Sequence, residues 1–204
     1  MLSLARLAVV VLAAGASTRL GQAKQLVKYN GTPLVVRQCE LALELQSDVF
    51  CVLGCNAEQI TPLLGDLPIN ITVNEAWQNG IGESIACVVR HIQRLQQSYD
   101  GLMVVLGDQW RLTAVHLQAM KQAWRNDKTN IYIAHDESNS NIGPPVIFPK
   151  ERFEELSSLS DDRGAKVIIN NNKDSVKHIA LWQAFYDLDT PEQLAIMQSS
   201  CLQQ

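Results

Sequence analysis

Short apolar runs alternate with stretches of helical periodicity along this chain. The runs are LAVVVL (7–12), VFCVL (49–53), INITV (69–73), LMVVL (102–106), IYIA (131–134), PVIF (145–148) and VKHIAL (176–181). The early ones are apolar at nearly every position, the pattern of parallel strands covered on both faces. Between them, apolar residues recur at helical spacing. Leu34, Leu41 and Leu45 follow Thr32 and Pro33, which offer an N-cap and a first helical position. Ile85, Val88, Val89, Ile92 and Leu95 form a second stripe, and Leu117, Met120 and Trp124, opened by Thr113, a third. Thr190-Pro191-Glu192-Gln193 reads as a capping box with proline at the first helical position. This alternation predicts an α/β fold with a doubly wound, mainly parallel, Rossmann-like sheet, expected as one domain over residues 1–204. The later half is less regular. The runs near 131–148 and the polar stretch SSLSDDRG predict an extra substructure over one end of the sheet.

Composition narrows the setting. At 47% hydrophobic and 19% charged residues, a chain of 204 can bury its core without disulfides or structural metal. Its five cysteines are odd in number. Their one close pair, Cys51 and Cys55, has no histidine beside it, so no zinc spacing is present. Most of them fall in apolar surroundings and read as core filler, and a reducing, cytoplasmic compartment is expected. LARLAVVVLAAG has the length of a signal-peptide core but leads straight into a Gly/Ser/Thr loop, so a buried strand is expected. No apolar run is long enough to span a membrane.

The net charge of −4 argues against a nucleic-acid coat, yet its distribution is uneven. All 21 acidic residues lie from Glu40 onward, whereas Arg6, Arg19, Lys24, Lys28 and Arg37 precede them. A basic segment on an acidic chain suits a small anionic ligand; chance clustering is the competing reading.

In a doubly wound sheet, ligands sit at the carboxyl ends of the strands. The loops leaving the first and fourth runs, AAGASTRLGQAK and GDQWRL, should therefore share one edge. Leu12 ends the run and belongs with the candidate nucleotide contacts; Ala13, Ala14 and Gly15 after it carry little or no side chain, so a ligand can approach the backbone closely. Successive N–H groups there can cradle phosphate oxygens. Arg19 and Lys24 follow within reach, a planar fork and a point charge. A plain strand–helix turn with two surface cations remains open on local composition. The P-loop is excluded: Gly15 and Gly21 enclose five residues, and Gln22 follows. The dinucleotide fingerprint and the kinase glycine loop are also absent. In the second loop, Asp108 just past a buried strand can hold Mg²⁺, which takes one or two carboxylates plus substrate phosphates. A turn or capping role is the alternative.

With these residues on the page, a resemblance is visible. LAAGASTRLGQAK resembles the L-A-[AG]-G-x-S-x-R-[ML]-G-x-x-K signature of nucleotidyltransferases related to molybdenum cofactor biosynthesis. GTPLV resembles the start of that family's first helix. VNEAWQNGIGESI resembles its V-N-x-x-W-x-x-G-x-x-x-S-[LIV] stretch, LGDQ its metal-binding G-D-Q-P, DDRGAK its G-D-x-G-A-[RK] and DLDTPEQL its D-[IL]-D-T-P-E-D-L. The matches are ordered and cover nearly the whole chain. The branch most resembled is the molybdenum cofactor cytidylyltransferases.

The resemblance implies a nucleotide-diphospho-sugar transferase-like fold and an Mg²⁺-dependent transfer of CMP from CTP to a phosphorylated acceptor, molybdopterin or the molybdenum cofactor, with release of pyrophosphate. It assigns Arg19 and Lys24 to the triphosphate and Asn74, Gly80 and Ser84 to the base or ribose. Asp108 would hold the metal, and Asp189 would be a second ligand or, equally, a turn residue ahead of Thr190. Asp162 would belong to a substrate-side loop. A molybdoenzyme is an implied partner; nucleic acid and membrane are not. The attacking phosphate is already anionic, so no strong general base is needed. His91, His116, His135 and His178 are scattered and read as structural or surface residues.

Three positions depart from the pattern. Trp110 replaces the proline after G-D-Q, Gly143-Pro144-Pro145 lacks the family's histidine, and Gln193 replaces the last acid of D-T-P-E-D. They fall on the acceptor side and leave open a sugar or alditol phosphate as acceptor, or a cofactor-delivery chaperone without chemistry. Ala14 distinguishes A-A-G from the L-A-G-G of guanylyltransferases and favours CTP, although one methyl discriminates by only about 1–3 kcal/mol.

Overall fold

The computed structural model describes residues 5–138 and 141–201. In chain order its elements are β1 (Leu7–Ala13), β2 (Lys28–Tyr29), β3 (Thr32–Pro33), α1 (Leu34–Leu43), β4 (Asp48–Leu53), α2 (Ala57–Leu64), β5 (Asn70–Val73), α3 (Ile81–Arg94), β6 (Gly101–Leu106), α4 (Ala114–Asn126), β7 (Ile131–His135), β8 (Ile142–Pro149), α5 (Phe153–Ser157), α6 (Lys166–Asn171), β9 (Val176–Ala180) and α7 (Pro191–Cys201). Seven strands form one sheet in the order β5-β4-β1-β6-β8-β7-β9. All pairings are parallel except those of β8, which runs antiparallel to both β6 and β7. The seven apolar runs are therefore the seven strands of a mostly parallel sheet. Among the described residues, no helix is long and apolar enough to cross a membrane.

Strand β1 shows why both faces need cover. Every residue in it is buried. Leu7, Val9, Val11 and Ala13 point to one face, where α1, α2 and α4 supply Val35, Cys39, Ile60, Leu64, Leu117, Met120 and Trp124. Ala8, Val10 and Leu12 point to the other, where α3, α5 and α6 supply Ile85, Val88, Val89, Ile92, Leu156 and Ile168. The polar stretch after residue 156 leads into α6, so the expected extra substructure is a pair of short helices on this second face.

One local expectation changes. Thr32 does not cap α1. It lies in β3, paired with Tyr29 across Asn30 and Gly31, both at positive φ. This is the geometry that two-residue hairpins favour, and Asn-Gly is its sequence signal. The cap position falls on Pro33, without a side-chain bond, and the N–H of Leu34 instead bonds to Val27 O at 2.9 Å. The cysteines also divide: Cys39 and Cys51 are buried, whereas Cys55 is exposed. At the last helix the expected cap forms. The N–H of Thr190 donates to Gln193 Oε1 at 2.9 Å, and the N–H of Gln193 to Thr190 Oγ1 at 3.4 Å. Gln193 thus serves the box that the family's acid would serve.

Candidate active site

β1 and β6 are neighbours, so their carboxyl ends deliver both loops to one edge. The first loop is held from within. Gln25 is buried, and its Nε2 donates to Ala13 O at 3.0 Å and Gly15 O at 2.7 Å. Ser17 sits at φ 58°, and its carbonyl accepts from the N–H groups of Leu20 and Gly21. Its hydroxyl accepts from the N–H of Lys24 at 3.2 Å. Leu20 anchors the turn in a small apolar cluster with Tyr29, Leu34, Trp110, Leu188 and Met197. Sequence reading singled out the cations of this loop but passed over Gln25, whose amide sets its shape.

The side chains of that edge form one charged network. Lys24 Nζ lies 2.5 Å from Asp108 Oδ2 and 2.8 Å from Asp189 Oδ1. Arg19 reaches the other oxygen of Asp189 at 2.6 Å. The structure thus brings together four of the residues that sequence singled out, from the loops after β1 and β6 and the segment before α7. Burial pulls the Lys24 ammonium down, but Asp108 and then Asp189 outweigh it, and its pKa ends above the usual lysine value. Burial pushes Asp108 up against the opposing pull of Lys24. Asp189, also opposed by burial, is held below the carboxylate range by Lys24 and Arg19.

A third carboxyl group belongs to this network and was missed. Asp187 is pushed up to about 7 by burial and by the field of Asp108, with Lys24 opposing and Asp189 adding to the rise. Its Oδ1 is buried with no hydrogen-bond partner. The signal was present in D-L-D: residues two apart in extended chain share a face, with buried Leu188 turned the other way.

The segment after β5 is more self-contained. Asn74 and Ser84 are buried, and Asn74 Nδ2 donates to Ser84 Oγ at 3.0 Å. Asn74 Oδ1 accepts from the N–H of Ala76, while the N–H of Asn74 bonds to Leu53 O. These bonds tie the end of β5 to the first turn of α3. Gly80 lies between them at φ 101°, and a Cβ there would stand 2.2 Å from Asp162 Oδ1. Its lack of a side chain lets the 161–164 loop rest on the start of α3.

Two cavities open here. One, of about 330 Å³, is lined by Leu12, Ala13, Ala14, Gly15, Lys24, Gly80, Ser84, Asp108 and Asp162, which covers most of the expected nucleotide contacts; Asn74, Arg19 and Asp189 stand outside its wall. The second, of about 470 Å³, shares Leu12, Leu106 and Asp162 with the first and adds Asp187, Arg163, Lys166 and a wall of aliphatic side chains. Gly143 and Pro144 line it, while Trp110 lines neither cavity. Trp110 is 2% exposed and packs against Tyr29 and Tyr186. Among the described residues, no group of three or more His, Cys, Asp or Glu is arranged to hold a metal by itself.

Comparison with known proteins places this geometry. The sequence model of the MobA-like NTP transferase domain matches residues 9–176. Nicotine blue oxidoreductase of Paenarthrobacter nicotinovorans is 40% identical over 77 residues, 37% of this chain and 38% of that protein. Bifunctional protein GlmU of Corynebacterium diphtheriae is 32% identical over 107 residues, 48% of this chain and 21% of that protein. The matches therefore span well under half the length of both curated relatives. Among solved structures, Rv0371c of Mycobacterium tuberculosis superposes with a TM-score of 0.81 at 22% identity, covering 97% of this chain and 100% of its own. Rv0371c is also known in complex with manganese (TM-score 0.76, 21% identity, 96% and 99% covered). CMP:2-keto-3-deoxy-manno-octonic acid synthetase complexed with CTP gives 0.77 at 11% identity over 98% and 99% of the two chains. Molybdopterin-guanine dinucleotide biosynthesis protein A of Archaeoglobus fulgidus gives 0.70 at 15% identity over 97% and 100%. At these identities the superpositions establish a shared fold, that of nucleotide-diphospho-sugar transferase-like NTP transferases.

Proposed function

The chain belongs to the MobA-like NTP transferase domain family, and on that premise we propose that it transfers CMP from CTP to a phosphorylated acceptor, molybdopterin or its molybdenum-bearing form, at the Lys24–Asp108–Asp189–Arg19 network. The observation that carries this reading is the network itself: two cations and two carboxylates on the loops at one sheet edge, beside a cavity floored by bare backbone. The reaction joins an oxygen of the acceptor's phosphate to the α-phosphorus of CTP. The bond from that phosphorus to the bridging oxygen breaks, and pyrophosphate leaves with the electron pair. The obstacle is repulsion between two anions, which positioned positive charge relieves. Lys24 and Arg19 supply it, and both can exchange a carboxylate partner for a phosphate one.

The carboxylates fit a divalent cation. Asp108 and Asp189 present hard oxygen donors 2.5 and 2.8 Å from the same ammonium, and Mg²⁺ asks for only one or two carboxylates when substrate phosphates complete its shell. The unpartnered Oδ1 of Asp187 lies in the same field. Mg²⁺ bound there would neutralise triphosphate charge and steady the departing pyrophosphate. That Rv0371c accepts manganese supports a divalent site on this scaffold. The CTP complex of the octonic acid synthetase and Ala14 together support cytidine as the base.

The test is pyrophosphate release with CTP, GTP, ATP and UTP, with and without Mg²⁺, against molybdopterin and a sugar-phosphate panel. Release is expected with molybdopterin as acceptor and fastest with CTP, with slower leakage from the other nucleotides. Selective release with an alditol phosphate would replace the acceptor, and no nucleotide-dependent release or thermal shift would overturn the reading. The 40% match over 77 residues to a protein named as an oxidoreductase favours one second reading, a redox reaction on this scaffold. Consumption of an added electron donor without pyrophosphate formation would select it.

Gly15 separates ligand binding from folding. A Cβ there would meet nothing within 4 Å, so the fold has room for Gly15→Ala. The added methyl projects into the cavity where the nucleotide would lie against the backbone. CTP affinity is expected to fall roughly tenfold or more, at 1–3 kcal/mol per misplaced methyl. Thermal melting without nucleotide should stay essentially at the parent value. Parallel calorimetry and melting curves check both halves.

A further inference from the structure

A third hollow, of about 510 Å³, opens between the β2–β3 hairpin, α1, the loop after β6, the segment after β9 and α7. It shares no lining residue with either cavity described above. Its walls are aromatic and cationic. The Arg111 guanidinium stands 3.9 Å from the Tyr186 ring centroid, 4.8 Å from Trp110 and 5.7 Å from Trp182. Arg37 stacks 5.3 Å over Tyr29.

Neither arginine makes an ion pair among the described residues. Arg37 spends Nη2 on Leu112 O at 2.6 Å, but its Nη1 is buried with no hydrogen-bond partner. Burial of that charge draws its pKa below the usual arginine value, with Tyr29 and Glu40 opposing. Nη1 lies beneath the wall of the hollow, so Arg37 serves it through a positive charge that no ion pair among the described residues offsets, and an anion is the natural complement of that charge. The surrounding rings add a second preference, since planar groups stack on guanidinium and indole faces. Thr32 and Thr113 place hydroxyls at the same rim.

We propose that this hollow is a second ligand site, separate from the transferase cavities, which binds a small anion carried on a flat ring, with Arg37 and Arg111 supplying the positive charge and the exposed Trp182 meeting the ring. The volume, within the range of small-molecule sites, suits a compact ligand of this class.

Phenyl phosphate is the probe, titrated calorimetrically into the full chain, with cyclohexyl phosphate and inorganic phosphate as comparisons. One site per chain is expected, with phenyl phosphate bound roughly tenfold tighter than cyclohexyl phosphate, the worth of an aromatic contact. Arg111→Met should weaken binding at least tenfold. Trp182→Ala removes a ring already 38% exposed, so it keeps the test open if Arg111→Met fails to fold. Arg19→Met, which removes a phosphate-loop cation that is 72% exposed, should leave phenyl phosphate binding unchanged. Three results would overturn the proposal: no saturable heat, equal affinity for the phenyl and cyclohexyl esters, or loss of binding in Arg19→Met with retention in Trp182→Ala. The last would assign the probe to the phosphate loop. The readout is binding, so failure of the proposed transferase chemistry would leave this result standing, and the reverse also holds.

Discussion

Lys24→Met is expected to lower pyrophosphate release by roughly 10²- to 10³-fold, the usual cost of removing one positioned charge from a transferring phosphoryl group. It should also destabilise the fold at neutral pH, which a merely surface-bound phosphate contact would not do. Asp108 is 3% exposed, and Lys24 is its ion-pair partner. Stripping one member from a buried pair costs about 3–5 kcal/mol when the other charge cannot escape. Asp108 has an escape, because burial already pushes its carboxyl up and Lys24 is what holds it down. Without the ammonium it takes a proton more readily, so the stability gap between parent and variant should narrow as pH falls. Asp189 keeps Arg19 and should contribute little to that gap.

Adding Asp108→Asn to Lys24→Met separates the two roles. Removing both charges leaves neither member of the pair as an unpaired buried ion, so the double variant should recover most of the lost stability, and the interaction energy of the pair is read directly from the cycle. Turnover should not recover, because neither the cation nor the metal-facing carboxylate is restored. Recovery of turnover along with stability would mean that the pair is structural and the transfer chemistry lies elsewhere. Melting curves at several pH values and pyrophosphate release on the same samples decide it.

What the chain discloses about itself follows from how local each signal is. The strand runs were legible because a parallel strand buried on both faces is apolar at every position, as β1 is. The antiparallel course of β8 was not, since periodicity does not encode direction. The β2–β3 hairpin was legible in Asn30-Gly31 and was overlooked in favour of a Thr32 cap; hairpin geometry won over local propensity. At the site, Arg19, Lys24 and Asp108 stood out because charge beside a glycine loop is visible in one dimension. Their closure through Asp189 spans 165 residues between it and Lys24 and needed the sheet. Trp110 looked like an insult to the acceptor side because it replaces a family proline. It is instead buried in a cluster with Tyr29 and Tyr186 that a strand-end loop gives no hint of.

Asp187, the acid that sequence reading missed, carries the second large effect. In chelated protein at neutral pH, Asp187→Asn is expected to raise stability, and the gain should vanish in acid. The folded-state carboxyl is raised from 3.8 to about 7, so between those values the native state holds a proton that the unfolded chain has released. Stability from this group is therefore fully present below about pH 3.8 and is lost as pH rises through about 7. Asparagine mimics the neutral acid and removes that loss, with a ceiling of about 4 kcal/mol for a shift of this size. Burial and the Asp108 field cause the rise, and a second cation joining Lys24 would oppose both. Mg²⁺ should consequently stabilise the parent more than Asp187→Asn at pH 8 and should make little difference to either at pH 4. Melting temperature followed across pH, with chelator and then with Mg²⁺, tests the whole chain of reasoning. A parent profile flat from pH 4 to 8 in chelator would place Asp187 in contact with solvent, with an ordinary carboxylate pKa. A pH-dependent parent indifferent to Mg²⁺ would instead detach the three acids from any metal and return the site to phosphate binding by Arg19 and Lys24 alone.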